Sequence, residues 1–178
     1  MKIYTGAGDL GKTSLFSGER LSKANHRIEA YGDVDELASV IGALAASLGT
    51  EQKELIAQLH QIQSDLFGLG SWLATTPDSP SASLLDEFSD KPSLQLEQAM
   101  ERMEVDLAPL KGFILPGGTL SSAWAHIART ICRRTERHVI QCFEIDDKFL
   151  DSQNRKSVIT YLNRLSDYFF VFARYLNH

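Results

Sequence analysis

The feature that most constrains the fold is a repeated spacing of apolar residues. Leu55, Leu59, Ile62, Leu66, Leu69 and Leu73 follow one another at intervals of 4, 3, 4, 3 and 4. Val158, Leu162, Leu165, Phe169, Phe172 and Leu176 repeat that rhythm further along. An α-helix turns once in ~3.6 residues, so each set forms one stripe, the seam of a helix packed nearly parallel to its neighbours. Ile28, Val34, Leu37, Ile41, Leu44 and Leu48 fit another helical face, which Gly49 stops and after which Thr50 can cap the next helix. Leu96, Met100, Met103, Leu107 and Leu110 predict a third helix, capped by Ser93 and frayed by Pro109. Leu115-Pro-Gly-Gly118 reads as a turn, and Thr119 caps a fourth helix running to about Phe143. An acidic loop then leads to the last helix. Five helices without a run of alternating strands predict an all-α five-helix bundle with an up-down, four-helix core.

The chain has 178 residues, which suits a single domain. Residues 1–25 read as a glycine-rich N-terminal loop and residues 26–178 as the bundle, with Pro77, Pro80 and Pro92 marking a long internal loop. A net charge of −5 argues against a general nucleic-acid surface, so any anion site must be local. The first residues lack the apolar stretch of a signal peptide, and no run approaches the ~18 apolar residues of a membrane span. Cys132 and Cys142, ten residues apart, would lie ~15 Å apart on one helix. That is beyond disulfide reach, so both read as small core residues in a reducing cytoplasm.

Two stretches carry chemistry. Gly6-Ala-Gly-Asp-Leu-Gly11-Lys12-Thr13 satisfies the Walker A pattern letter for letter. Glycines let backbone N–H groups approach phosphate oxygens, a lysine neutralises charge, and a hydroxyl reaches a phosphate or its Mg²⁺. A P-loop fold also needs a buried strand before the loop and a helix straight after it. Only a few residues precede this loop, and the serine- and glycine-rich segment that follows is a poor helix former. The loop therefore reads either as a glycine-rich surface loop or as a phosphate-binding loop on a different fold.

The second stretch is the fourth helix. His126, Arg129, Arg133 and Arg137 share one face at 3- and 4-residue spacing, with Glu136 beside Arg133 and Arg134 to the side. Such a stripe repels itself unless something negative meets it. Acids on a neighbouring helix or subunit would do so, and so would a polyphosphate, which guanidinium binds bidentately. On the last helix, Asn163 reads first as a buried polar bridge. On the first, Asp33, Asp35 and Glu36 can fill an N-terminal turn after Gly32, or Asp35 can answer an arginine across an interface. No Glu-x-x-His pair supports a di-iron centre, and the five histidines show no metal-ligand spacing, so no protein-held metal is expected.

Four stretches together resemble the helical-bundle, PduO-like family of ATP:cob(I)alamin adenosyltransferases. They are residues 2–14, residues 27–37, Phe113-Ile-Leu-Pro-Gly-Gly118 with residues 128–137, and residues 162–169, in the family's order. The resemblance implies a homotrimer with ATP between subunits, and ATP with Mg²⁺ and a corrinoid as the reacting molecules. It implies that Thr5, Gly6, Ala7, Gly8, Thr13, Ser14 and Lys23 surround the triphosphate. Arg133, Arg134, Thr135, Glu136 and Arg137 would line the nucleotide from a partner helix, with Asn163 on the adenosine side. Arg129 would pair with Asp35 across the interface, and Phe113 would sit over the corrin and displace its lower axial base. A reductase and an adenosylcobalamin-dependent enzyme would be further partners. The sequence departs from the family's pattern at Gly6, commonly lysine, and at Ala125, usually leucine. Two rival readings stand beside this one: a P-loop nucleotide kinase, and a non-catalytic bundle that carries ATP or a corrinoid.

Overall fold

The structure, a computed structural model, describes residue 4 and residues 6–145 and 152–178. Thr5 and most of the expected acidic loop lie outside the described residues. Five α-helices make the fold: α1 (His26–Ala46), α2 (Lys53–Leu73), α3 (Lys91–Glu104), α4 (Leu120–Ile145) and α5 (Ser152–Tyr175). A short 3₁₀ turn at Pro80–Leu84 lies in the loop before α3. The expected all-α bundle is present, with one addition ahead of it. Strands β1 (Lys12–Ser14) and β2 (Arg20–Ser22) pair antiparallel, with Thr13 opposite Leu21. Three-residue strands are too short for an alternating pattern to register in sequence.

Helix directions follow from the pairs that touch. Glu36 meets Arg134 while Asp33 meets His138, so α1 and α4 run antiparallel. Tyr161 with Asp65 and Tyr168 with Gln58 set α2 antiparallel to α5. Cys132 against the Leu162 carbonyl and His126 beside Phe170 do the same for α4 and α5. Asp90 to Ser157 and Glu97 to Arg164 make α3 parallel to α5, along whose flank it packs. The core lies between α1, α2, α4 and α5. The two heptad-like stripes supply much of it, with Leu59, Leu66, Leu69, Leu73, Leu162, Leu165, Phe169 and Phe172 fully buried. Each such side chain stabilises the fold by roughly 1.5–3 kcal/mol through removal from water. Cys132 and Cys142 are free thiols inside this core.

Several helix ends differ from expectation. Thr50 does not cap α2, which starts at Lys53. Gln52 stands at the cap and turns its amide oxygen back to the Gly49 N–H at 3.0 Å. Ser93 does not cap α3. Asp90 occupies that position and Pro92 fits the first turn, where a missing N–H costs nothing. Ser93 is buried one turn further in. The third helix also stops at Glu104, short of Leu107 and Leu110, because the approach to Pro109 disfavours helical backbone. Thr119 does cap α4, accepting the Ser122 N–H at 3.1 Å. Asp33, Asp35 and Glu36 do not fill an N-terminal turn. The first helix begins at His26, capped by Asn25, and runs straight through Gly32.

That last difference matters, because Asp33 becomes a buried carboxylate at the α1–α4 contact. One oxygen accepts from Arg134 Nε at 3.1 Å and the other meets His138 Nδ1 at 2.7 Å. The Thr135 hydroxyl lies 3.3 Å from the Asp33 carbonyl. Replacing Asp33 by alanine leaves Arg134 and His138 without their shared partner. The expected loss is about 1–3 kcal/mol, held to that range because Arg134 is part-exposed. Urea unfolding followed by helical circular dichroism measures it, and an unchanged midpoint would remove Asp33 from the account.

Candidate functional site

The glycine-rich loop is held at the end of the bundle where α1 begins and α2 ends. Leu15 is buried, and the Ser17 hydroxyl accepts the Thr76 N–H at 3.2 Å. The Arg27 guanidinium, itself buried, donates to the Thr75 carbonyl at 2.9 Å. The Glu19 carboxylate accepts from Thr76 Oγ1 at 2.6 Å and from the Ser17 hydroxyl. Within the loop, Gly6 and Gly11 take φ of +69° and +74°, a region open to glycine at no steric cost. Their turns close through Asp9 N–H to Gly6 O at 3.2 Å and Gly11 N–H to Gly8 O at 3.1 Å. The Lys23 ammonium lies directly over Gly8, where a Cβ would come within 3.1 Å of Nζ. Arg20 donates to the Ala7 carbonyl. Gly6 and Ala7 are exposed, as is Ser14, and Thr13 is half-buried. The result is a small, mostly exposed cradle of backbone with a lysine folded over it. A hairpin, not a helix, follows the Walker A letters, so the P-loop reading lacks its fold.

On α4, neighbouring arginines have different fates. Arg134 is spent within the chain on Asp33 and Glu36. Thr135 is fully buried, with its hydroxyl on the Ile131 and Asp33 carbonyls. It fastens α4 to α1 and is too deep to touch a nucleotide, contrary to expectation. Arg133 is exposed and, among the described residues, meets no carboxylate. Arg137 is exposed too, and its guanidinium donates to the Arg133 carbonyl at 3.0 Å. Glu136 is half-buried on the same helix. Arg129 keeps a buried Nε without a hydrogen-bond partner. Asn163, half-buried on α5, accepts from Arg164, which reaches Glu97 at 2.6 Å.

Phe113 is fully exposed beside a cavity of about 580 Å³. Leu110, Ile114, Pro116, His126, Arg129 and Phe170 also line it. The Asn177 side chain fixes this segment by accepting the Thr119 N–H at 2.9 Å and donating to the Gly117 carbonyl at 2.8 Å. Gly118, at φ +113°, lies so close to that amide that a Cβ would fall 2.2 Å from its oxygen. Asp35 lies elsewhere, exposed in a groove between α1 and α2 beside the aromatic rings of Phe16, Tyr31 and Phe67. The fold therefore brings Phe113, Arg129 and His126 together, and groups Gly6 to Gly8 with Lys23. It does not bring Asp35 to Arg129 within one chain.

Sequence reasoning missed Phe170, which sits just off the apolar seam, and the use of His126 as cavity wall. It also missed the grouping of Glu29, Asp33 and His138, whose ligand atoms lie within 4.8 Å of one another. Both Asp33 oxygens there are already engaged and a guanidinium adjoins, so the group works as a helix fastener.

The described chain thus combines an exposed backbone loop under a lysine, two exposed arginines on α4 and a largely apolar cavity on one helical bundle. Comparison with known proteins identifies the family. The family described as cobalamin adenosyltransferase matches residues 3–176. The corrinoid adenosyltransferase of Citrobacter freundii is 42% identical over 97% of this chain and 93% of its own. That of Homo sapiens is 41% identical over 98% of this chain and 68% of its own. A PduO-type ATP:corrinoid adenosyltransferase from Lactobacillus reuteri, a phenylalanine-to-alanine variant solved with cobalamin and ATP, superposes with a TM-score of 0.87 at 38% identity, covering 99% of this chain and 93% of that one. An arginine-to-lysine variant solved with ATP superposes with a TM-score of 0.84, at 38% identity over 98% of this chain and 94% of that one. The chain belongs to the cobalamin adenosyltransferase family.

Hydrogen bonds from Ser17 and Thr76 hold the Glu19 carboxyl below its ordinary value of 4.5. A depressed carboxylate contributes its stability above the unfolded value and loses it as pH falls through the folded one. Hairpin docking should thus weaken below pH 4.5 while the helices stay protected. Amide exchange of Leu15 and Thr76 across that range checks this, and Glu19→Gln should abolish the pH dependence.

Proposed function

We propose that the chain performs its family's transfer at a site completed by two copies of itself. The 5′-deoxyadenosyl group of ATP moves to the cobalt of a corrinoid, and triphosphate leaves. The observation that carries the two-copy reading is the exposed Arg133 and Arg137 pair, unmet by any described carboxylate of their own chain beside a fully engaged Arg134. The loop is anchored where α4 ends, whereas the Phe113 cavity lies where α4 begins. His138, level with Asp33 two turns into α1, is twelve residues beyond His126, or about 18 Å along the helix. A facing copy bridges that gap with its own arginines.

In this arrangement Thr5 to Gly8, Thr13, Ser14 and Lys23 of one copy hold the triphosphate. Arg133, Glu136 and Arg137 of the next copy close over the nucleotide, and Asn163 lies on the adenosine side. Arg129 takes the facing copy's Asp35, which would satisfy its buried Nε. Asp35 is exposed and set in an apolar groove suited to burial against another subunit. A homotrimer satisfies all these contacts by symmetry. Mg²⁺ fits the oxygen donors of the loop, since it favours phosphate and hydroxyl oxygens and retains waters. When bound it offsets part of the triphosphate charge. The buried thiols suit a reducing compartment such as the cytoplasm, and no described helix is long and apolar enough to cross a membrane.

The chemistry asks little of a general base. Co(I) is a strong nucleophile and displaces triphosphate directly at the ribose C5′. The protein aligns the two reactants and stabilises a leaving group of about four negative charges. Phe113, exposed at the cavity mouth, occupies the place of the lower axial base. Removing that ligand makes Co(II) easier to reduce by an external reductase. A carrier would share the binding features, and only product formation separates it from an enzyme.

Incubation with ATP, Mg²⁺ and chemically reduced cobalamin should yield the Co–C product and triphosphate. Arg133→Ala should lower turnover by about 10²–10³ with helical content unchanged. Near-normal turnover would sink the arginine assignment. Phe113→Ala should still bind cob(II)alamin but lose the four-coordinate species, read from its electronic spectrum. An unchanged spectrum would take Phe113 out of the mechanism.

A further inference from the structure

The cavity beside Phe113 is apolar except for two side chains, His126 and Arg129. Arg129 has a partner in the two-copy reading; His126 has none. His126 is only 5% exposed, and its Nδ1 is buried with no hydrogen-bond partner. Its ring packs edge-on against Phe170, which also lines the cavity, with centroids 6.4 Å apart. The ring edge that reaches the cavity and Arg129 are the polar points that this otherwise apolar lining offers a ligand.

The ring's chemistry narrows the ligand group. Burial, then the Arg129 charge, holds the imidazole below its ordinary value. It is neutral near pH 7 and presents one N–H donor and one acceptor. A primary carboxamide offers both a donor and an acceptor, so it can match whichever of the two the ring turns to the cavity. A phosphate offers only acceptors, and its natural partners here are the arginines further along α4. Corrinoids carry acetamide and propionamide side chains around the ring, the propionamides on the lower face that Phe113 would cover.

We propose that His126 is a binding residue that hydrogen-bonds a peripheral carboxamide of the corrinoid and fixes the ring in register over Phe113. The assignment rests on the corrinoid reading of this cavity. It adds to Phe113 a polar contact that sets how the ring is turned, which an apolar wall cannot do. Specificity follows the usual asymmetry: a buried polar group left unpaired by the wrong ligand penalises that ligand strongly.

The test compares His126→Leu with His126→Asn, which match in branching and heavy-atom count and differ in hydrogen bonding. Each is assayed with ATP and with reduced cobalamin or reduced cobinamide, which shares the ring amides but lacks the lower base. His126→Leu should raise the corrinoid KM about tenfold and leave the ATP KM unchanged. The loss should be equal for both corrinoids, and His126→Asn should recover most of it. Three results would overturn the proposal: an unchanged corrinoid KM, a loss confined to cobalamin, or equal impairment in both variants. A five-coordinate cob(II)inamide spectrum that disappears in His126→Leu would also overturn it, by making His126 a cobalt ligand. An unmutated protein that forms no Co–C product sinks the underlying corrinoid reading instead, so the two failures are distinct.

Discussion

The clamp that Asp33 makes between α1 and α4 determines which face of α4 is free. Arg134, Thr135 and His138 all point into that contact and are consumed by it. A helix places residues three and four apart on one side, so fastening 134, 135 and 138 inward turns 133 and 137 outward. The free arginines are thus a consequence of the packing. Without the carboxylate at position 33, Arg134 would keep only the exposed Glu36 and His138 would lose its partner.

The two ends of the bundle are specialised by what anchors them. At one end the hairpin docks through Leu15, Arg27 and Thr76, leaving exposed a turn of small residues under Lys23. At the other, Asn177 ties the Gly117–Gly118 turn to the C-terminal end of α5 and so holds the segment that carries Phe113. Polar anchors fix irregular backbone at both ends, because such segments cannot satisfy their own N–H and C=O groups as a helix does. The centre is a dry apolar seam. Rigid helices therefore hold the two loop segments at a set spacing, which is what the proposed transfer asks of the fold.

The two-copy reading also accounts for features that are odd in one chain. Arg129 buries an unsatisfied Nε, Asp35 stands exposed in an aromatic groove, and Arg133 has no anion. Each is a cost or a loose end in isolation, and each has a partner when another copy is added. His126, in the wall of the same cavity as Arg129, keeps a partnerless Nδ1 in either reading.

The heptad-like stripes by themselves determined the helical class and much of the core, because a 4-3 rhythm has one geometric solution, and the Thr119 cap added the fourth helix. The Walker A letters and the arginine stripe named candidate anion contacts, because glycine opens backbone N–H groups to phosphate and guanidinium binds it bidentately. Helix starts were less legible. Thr50 and Ser93 are good caps by type, but Gln52 and Asp90 hold those places because neighbouring turns and Pro92 set the backbone first. The fate of each α4 residue was decided only by tertiary structure. Arg133, Arg134 and Thr135 are adjacent in sequence and alike in their fit to a phosphate site. One is free, one is neutralised and one is buried, because α1 lies against one side of α4 and brings Asp33 with it.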